Sequence, residues 1–224
     1  MDSTPRTPTA IDQVAERWVD TLVDLAPTLG TYIGRDEVNG RFGDLSPEGH
    51  AEIAAATRRT LDELSALEPV DTIDEVTKTD LSAELRLDLE LHEAKWHLRD
   101  LNVIASAAQD VRSAFDLMPT GSADDWSVIA QRLAAVPEAL RGYTATLREG
   151  IAQGVTPARR QVVEVATQID RYTADDGFFA AFVADAAPDE GQLPASLART
   201  LADNSAAARV AYDELRRFLA EELV

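Results

Sequence analysis

With 224 residues, of which 45% are hydrophobic and 27% charged, the chain is long enough to bury a sizeable core and too apolar to remain disordered. Acidic residues outnumber basic ones 40 to 21, for a formal charge of −19. That balance excludes a non-specific phosphate-backbone binder, which needs clustered Lys and Arg, and disfavours an anionic membrane surface. Neither nucleic acid nor membrane is therefore expected as a partner, and the charge reads first as solubility through self-repulsion.

In chain order, Ile11, Val14, Ala15, Trp18, Val19, Leu22 and Leu25 recur at steps of three and four, which predicts a helix running up to Pro27. A loop is expected next, because Gly30, Gly34, Gly40 and Gly43 punctuate it. Ser46-Pro47 has the form of an N-cap followed by proline at the first helical position. The helix behind it carries Ile53, Leu61, Leu64 and Leu67 and stops before Pro69.

Thr72 and Glu75 have capping-box spacing and open the longest stretch free of Gly and Pro, which predicts a helix over 72–101. It bears two stripes, Leu81, Leu85, Leu89 and Trp96 on one side and Leu87, Leu91, Ala94, Leu98 and Leu101 on the other. A helix apolar on two sides is expected to be central. Residues 85–91 also alternate with period two, but Glu, Leu and Arg favour helix over strand there.

Beyond Met118-Pro119, Ser122 or Asp124 caps a helix with Trp126, Ile129, Leu133 and Val136, and Pro137 is expected to start another with Leu140, Tyr143, Leu147 and Ile151, stopped by Gly154. Thr156-Pro157 repeats the cap-plus-proline signal ahead of Val162, Val163, Ala166 and Ile169. Phe178, Phe179 and Phe182 mark a short helix, and a last one begins near Pro194 with Leu197, Leu201, Ala208, Leu215, Phe218 and Leu219. No strand run with turn chemistry occurs. The fold class expected is all-α, a multi-helix bundle with a long central helix, over residues 1–224 as a single region.

Few residues invite chemistry. The absence of cysteine excludes disulfides, thiolate metal sites and thiol nucleophiles. His92-Glu93-Ala94-Lys95-Trp96-His97 approaches the zinc motif H-E-x-x-H, but its histidines are five apart. On a continuous helix that turns the second ring roughly 140° from the first, so the pair is not expected to share an ion. His50 stands alone in a helix's first turn. The loop from Arg35 to Ser46 fails as a calcium loop at both anchor positions, and its glycines precede no Gly-Lys-Ser/Thr. Asp124-Asp125 and Asp175-Asp176 sit beside predicted helix starts, where the dipole favours negative charge. No catalytic residue, metal ligand or cofactor is expected within this chain. Met1 to Arg6 show no signal-peptide stretch and no apolar run would span a bilayer, so a cytoplasmic protein is expected.

From Arg112 the sequence changes character. Arg112-Ser113-Ala114-Phe115-Asp116-Leu117-Met118-Pro119 leads to Arg132-Leu133-Ala134-Ala135-Val136-Pro137-Glu138-Ala139-Leu140, then to Leu147-Arg148-Glu149-Gly150-Ile151-Ala152-Gln153-Gly154. In this order the segments resemble the N-terminal half of the bacterial family called domain of unknown function 885, and Pro27-Thr28-Leu29-Gly30 is similar to that family's opening. The resemblance covers about Ala15 to the end. Arginine so far in excess of lysine, in an Ala-rich chain, is similar to actinobacterial members.

The family resembles helical, two-lobed zinc metallopeptidases whose H-E-x-x-H lies in the C-terminal half. The resemblance therefore implies that zinc is held in a half beyond Val224, that this half is a partner of the present one, and that a peptide is the substrate of the whole. The helical pattern still running at Glu221-Glu222-Leu223-Val224 fits a cut through such a chain. The present residues would then form a scaffold and cleft wall, inactive alone, with an apolar face uncovered on the last helix or on 72–101. Arg112 and Asp116 are the candidate cleft-facing residues; at helical spacing they can equally pair with each other. The alternative is a self-contained helical module that binds a partner protein through such a face.

Overall fold

A computed structural model describes residues 6–223. The stretch 1–5 and Val224, where the sequence reading finds no leader and no cap, lie outside the described residues. All regular structure among them is helical, and no helix is long and apolar enough to cross a membrane.

Helix α1 (Ala10–Leu25) starts in a capping box, with Thr9 accepting from the Asp12 amide and Asp12 returning to the Thr9 amide at 2.8 Å. Its stripe is borne out at Ile11, Val14 and Trp18, which are buried, whereas Val19 is exposed and Val23 is buried in its place. The loop expected after Pro27 begins instead as a short helix, α2 (Pro27–Tyr32). Gly30 lies inside α2, because a side chain there would strike Val38 and Val23. Helix α3 (Pro47–Ser65) has the predicted Ser46 cap, which accepts from the Gly49 amide.

Helix α4 (Thr72–Glu93) departs from expectation at both ends. Its cap is Asp71, which accepts from the Asp74 amide; Thr72 is already helical. The helix ends at Glu93, since Lys95 takes a left-handed φ of 58° and residues Trp96–Arg99 form a 3-10 turn. Nor is α4 central. Leu85 and Leu89 are buried against α1 and α3, whereas Leu87 and Leu91 face outward.

The central helix is α6 (Ala123–Gln153), 31 residues long and capped by the predicted Ser122. It follows α5 (Ala107–Ser113) and a 3-10 turn (Ala114–Leu117). Pro137 does not start a new helix but lies within α6. It leaves the Leu133 carbonyl without its helical donor, at a cost of about 3 kcal/mol. The buried row Ile129, Leu133, Val136, Leu140, Tyr143 and Leu147 passes straight through that point. Each large apolar side chain so buried contributes roughly 1.5–3 kcal/mol, so one unbroken helix wins.

Gly154 ends α6 at φ 69°, as predicted. Helix α7 (Arg159–Thr173) begins two residues after Pro157, with Ala158 in the cap position instead of Thr156. Helices α8 (Phe178–Ala184) and α9 (Ala195–Phe218) follow, and α9 passes into a π-turn at Leu219–Leu223.

Two apolar clusters result. The larger joins α5 to α9 around α6, and the smaller holds α1, α3 and α4 through Trp18, Leu64 and Leu85. The smaller layer meets α6 on small residues four apart. A side chain at Gly142 would lie 2.9 Å from the Ser46 amide, and one at Gly150 would lie 2.4 Å from the Leu98 carbonyl. Between them the Thr146 hydroxyl donates to the Leu45 carbonyl at 2.7 Å.

An ionic knot fastens α1 to α4. Arg6 donates to Asp12, to Asp71 at 2.6 Å and to Asp74 at 2.5 Å. Asp74 is fully buried and also accepts from the Thr9 hydroxyl at 2.7 Å and the Val70 amide at 3.0 Å. Its removal takes an acceptor from the Arg6 guanidinium, the Thr9 hydroxyl and the Val70 amide at a part-buried site. The variant Asp74→Ala is therefore expected to lose roughly 2–4 kcal/mol in urea unfolding, and a loss below about 0.5 kcal/mol would show the knot to be ornamental.

Candidate functional site

Arg112 and Asp116 sit where α5 gives way to its 3-10 turn, and they pair with each other across one turn. The Arg112 guanidinium also lies 3.8 Å from the centroid of the Phe178 ring, so a carboxylate and an aromatic face fix it together. Arg112 lines an open depression of about 350 Å³ that includes Gln109, Gln168 and Tyr172; Asp116 stands outside its lining. Behind the depression runs a chain of side-chain amides. The Ser106 hydroxyl donates to Gln109 at 2.6 Å, Gln109 to Gln168 at 2.7 Å, and Gln168 to the Val103 carbonyl at 3.0 Å.

Two phenols anchor the same wall. Tyr143 donates to the Asp100 carbonyl at 2.7 Å and Tyr212 to the Ala108 carbonyl at 2.9 Å. Burial pushes both hydroxyls well above the usual phenol range, so they serve as donors and not as bases. Asp100 and Asp110 are pushed upward by burial, Asp110 further by the charge of Asp100. The wall can position a polar ligand by hydrogen bonds. It offers no nucleophile joined to a base.

Arg132 carries no sequence signal that marks it as unusual, yet it is the bulkiest of the fully buried side chains. It donates to the Arg41 carbonyl at 3.2 Å and stacks 5.0 Å from the Phe42 centroid, while Nε and Nη1 have no partner. Desolvation lowers its pKa to about 10, so it remains a cation at neutral pH.

The histidines are arranged differently from the sequence expectation. Because α4 stops at Glu93, the chain doubles back through Lys95, and the His92 and His97 rings stack at 4.6 Å with only 8° between their planes. His50, expected to stand alone, lies 4.8 Å from His97. All three histidines of the sequence therefore meet where α3, α4 and the 96–99 turn converge. Zinc does not fit the stacked pair, since a metal must lie in the plane of each ligating imidazole and parallel offset planes do not intersect at one point. No group of three His, Cys, Asp or Glu among the described residues is placed to hold a metal ion.

His97 is lowered to about 4 by burial first and then by its two imidazole neighbours, and its Nδ1 has no partner. His50 is lowered by burial first and then by His92, against an opposing pull from Asp44. Glu48, Glu93, Lys95 and Glu149 border the adjoining hollow. A histidine depressed in the folded state leaves stability intact above its unfolded pKa of about 6.5, and stability falls as pH drops from there toward 4. The urea midpoint should therefore fall between pH 6.5 and pH 4.5 by more in the native sequence than in His97→Gln. Parallel curves for the two would refute the coupling.

The remaining acidic pairs are structural. Asp125 closes the capping box of α6, and Asp175 pairs with Arg209 at 2.8 Å.

No curated protein matches the chain. The family model described as "Bacterial protein of unknown function (DUF885)" matches residues 27–224, which takes in the Arg112–Gly154 segments, the buried Arg132 and all of α2 to α9. The chain belongs to that family of bacterial proteins of unknown function.

Proposed function

We propose that this chain is the helical scaffold and one cleft wall of a peptidase-like hydrolase, and that it is inactive alone. The zinc centre of that hydrolase would be held by a further segment, with which these helices pack, and a peptide would be the substrate. The observation that carries the reading is the fixed Arg112 guanidinium at the rim of an amide-lined depression. An arginine held by Asp116 and Phe178 keeps N–H groups free to grip a carboxylate or peptide carbonyl, and the amides behind it suit a peptide backbone. The unfit of the stacked histidines for zinc is consistent with chemistry housed elsewhere. The self-contained interaction module remains the competing reading, and it is favoured by the outward apolar face of α4.

Reading the gene past the Val224 codon separates the two. The hydrolase reading expects the frame to continue and to encode H-E-x-x-H; a stop codon directly after Val224 would contradict it. In the longer protein, Arg112→Ala should raise KM for a peptide substrate by about tenfold or more with kcat nearly unchanged, as loss of a charged hydrogen bond made equally in ground and transition states. An unchanged KM would remove Arg112 from the cleft.

A further inference from the structure

We infer that the outward face of α4 is a docking surface for a basic amphipathic helix of a partner protein. The inference rests on the interaction-module reading and concerns the outward face of α4, whereas the hydrolase reading is carried by the depression beside Arg112. Successive helical residues turn 100°, so Ile73, Val76, Ala83, Leu87, Leu91 and Ala94 share a sector of about 80° that lies half a turn from Leu85 and Leu89. Leu85 is 0% exposed, whereas Ile73 and Val76 are each 55%, Leu87 49% and Leu91 40% exposed. The stripe runs for about 30 Å, the length of a helix of roughly 20 residues. Its steps of three and four, with Asp80 standing in the one gap of seven, are those of a helix–helix seam and not of scattered surface leucines.

Trp96 lies three residues beyond the end of α4, on the 96–99 turn. It is about half exposed, with the Arg99 guanidinium 4.9 Å from its ring centroid.

Charge selects the occupant. Glu84, Asp88 and Glu90 flank the stripe and Asp80 interrupts it, with Arg86 the single cation alongside on α4. None of these five joins an ion pair among the described residues. The Asp88 carboxyl is pushed upward by partial burial and by Glu84, as expected in a field of like charge. A second copy of α4 would set four carboxylates against four, with one arginine on each side, so self-pairing is opposed electrostatically. A helix with leucines on one face and Lys or Arg at its flanks meets both features at once.

The test uses this chain and two synthetic helical peptides of about 22 residues. They share one leucine face, flanked by Lys and Arg in one and by Glu in the other. Trp18 and Trp126 are buried, so a change in tryptophan emission on binding reports Trp96. The basic peptide should bind at least about tenfold more tightly than the acidic one and weaken as salt is raised. The double variant Leu87→Asp/Leu91→Asp should lose binding while keeping its helical circular dichroism, because neither side chain is part of a core. Three results would overturn the inference: no binding of the basic peptide, equal binding of both peptides, or undiminished binding by the double variant. A concentration-dependent dimer abolished by the same substitutions would assign the face to a second copy instead. A Trp96 shift with neutral lipid vesicles but with neither peptide would assign it to a lipid surface.

Discussion

The burial of one face of α6 along its whole length is the constraint on which the rest of the fold depends. Trp126, Ile129, Leu133, Val136, Leu140, Tyr143 and Leu147 form a single row, and α9 lies along it. The row keeps the helix unbroken at Pro137, where local propensity would end it. Helices α7 and α8 then close on α9, with Phe115 meeting Phe179 and Phe182 edge to face and Phe178 stacked on Phe182 in the gap. The depression under Arg112 exists because this aromatic group holds α8 against the end of α5.

A second face of α6 sets the place of the N-terminal layer. Gly142, Thr146 and Gly150 leave no side-chain bulk between α6 and the segments that carry Leu45 and Leu98. That close approach draws His50, His92 and His97 together, since they flank those segments on α3, α4 and the 96–99 turn. The histidine cluster is thus a consequence of the seam between layers, and its depressed protonation is the seam's electrostatic signature. Arg132 marks the other end of the same boundary, a buried cation whose single carbonyl partner belongs to the loop before α3. The desolvation of that guanidinium costs stability that the surrounding apolar burial must offset.

The sequence is legible wherever periodicity and caps act locally. The Ser46 and Ser122 caps, the Gly154 stop and the all-α class follow from residues a few positions apart. The misreadings share one physical cause, which is that contacts between elements overrode local signals. Pro137 reads as a start until the row on both sides of it is seen to bury against α9. The stretch 72–101 reads as one central helix because nothing in Ala94-Lys95-Trp96 marks a left-handed residue, a conformation more common for glycine or asparagine. Its second stripe is real, but periodicity cannot tell a covered face from an open one. The histidine cluster was illegible for the same reason, since a spacing of five argues for divergence only while the helix continues. Arg112 and Asp116 pair as their spacing of four allows, and the aromatic support from Phe178 needs the third dimension.

The central claim, that α6 is one continuous rod binding α5 to α9 into a single cooperative unit, is tested most directly by native-state hydrogen exchange along that helix. Buried amides on either side of Pro137, such as those of Leu133 and Leu140, should exchange together in the slowest class, at a free energy equal to that of global unfolding. Exchange of residues 123–136 and 138–153 as two separate classes, one opening well below the global free energy, would contradict the account.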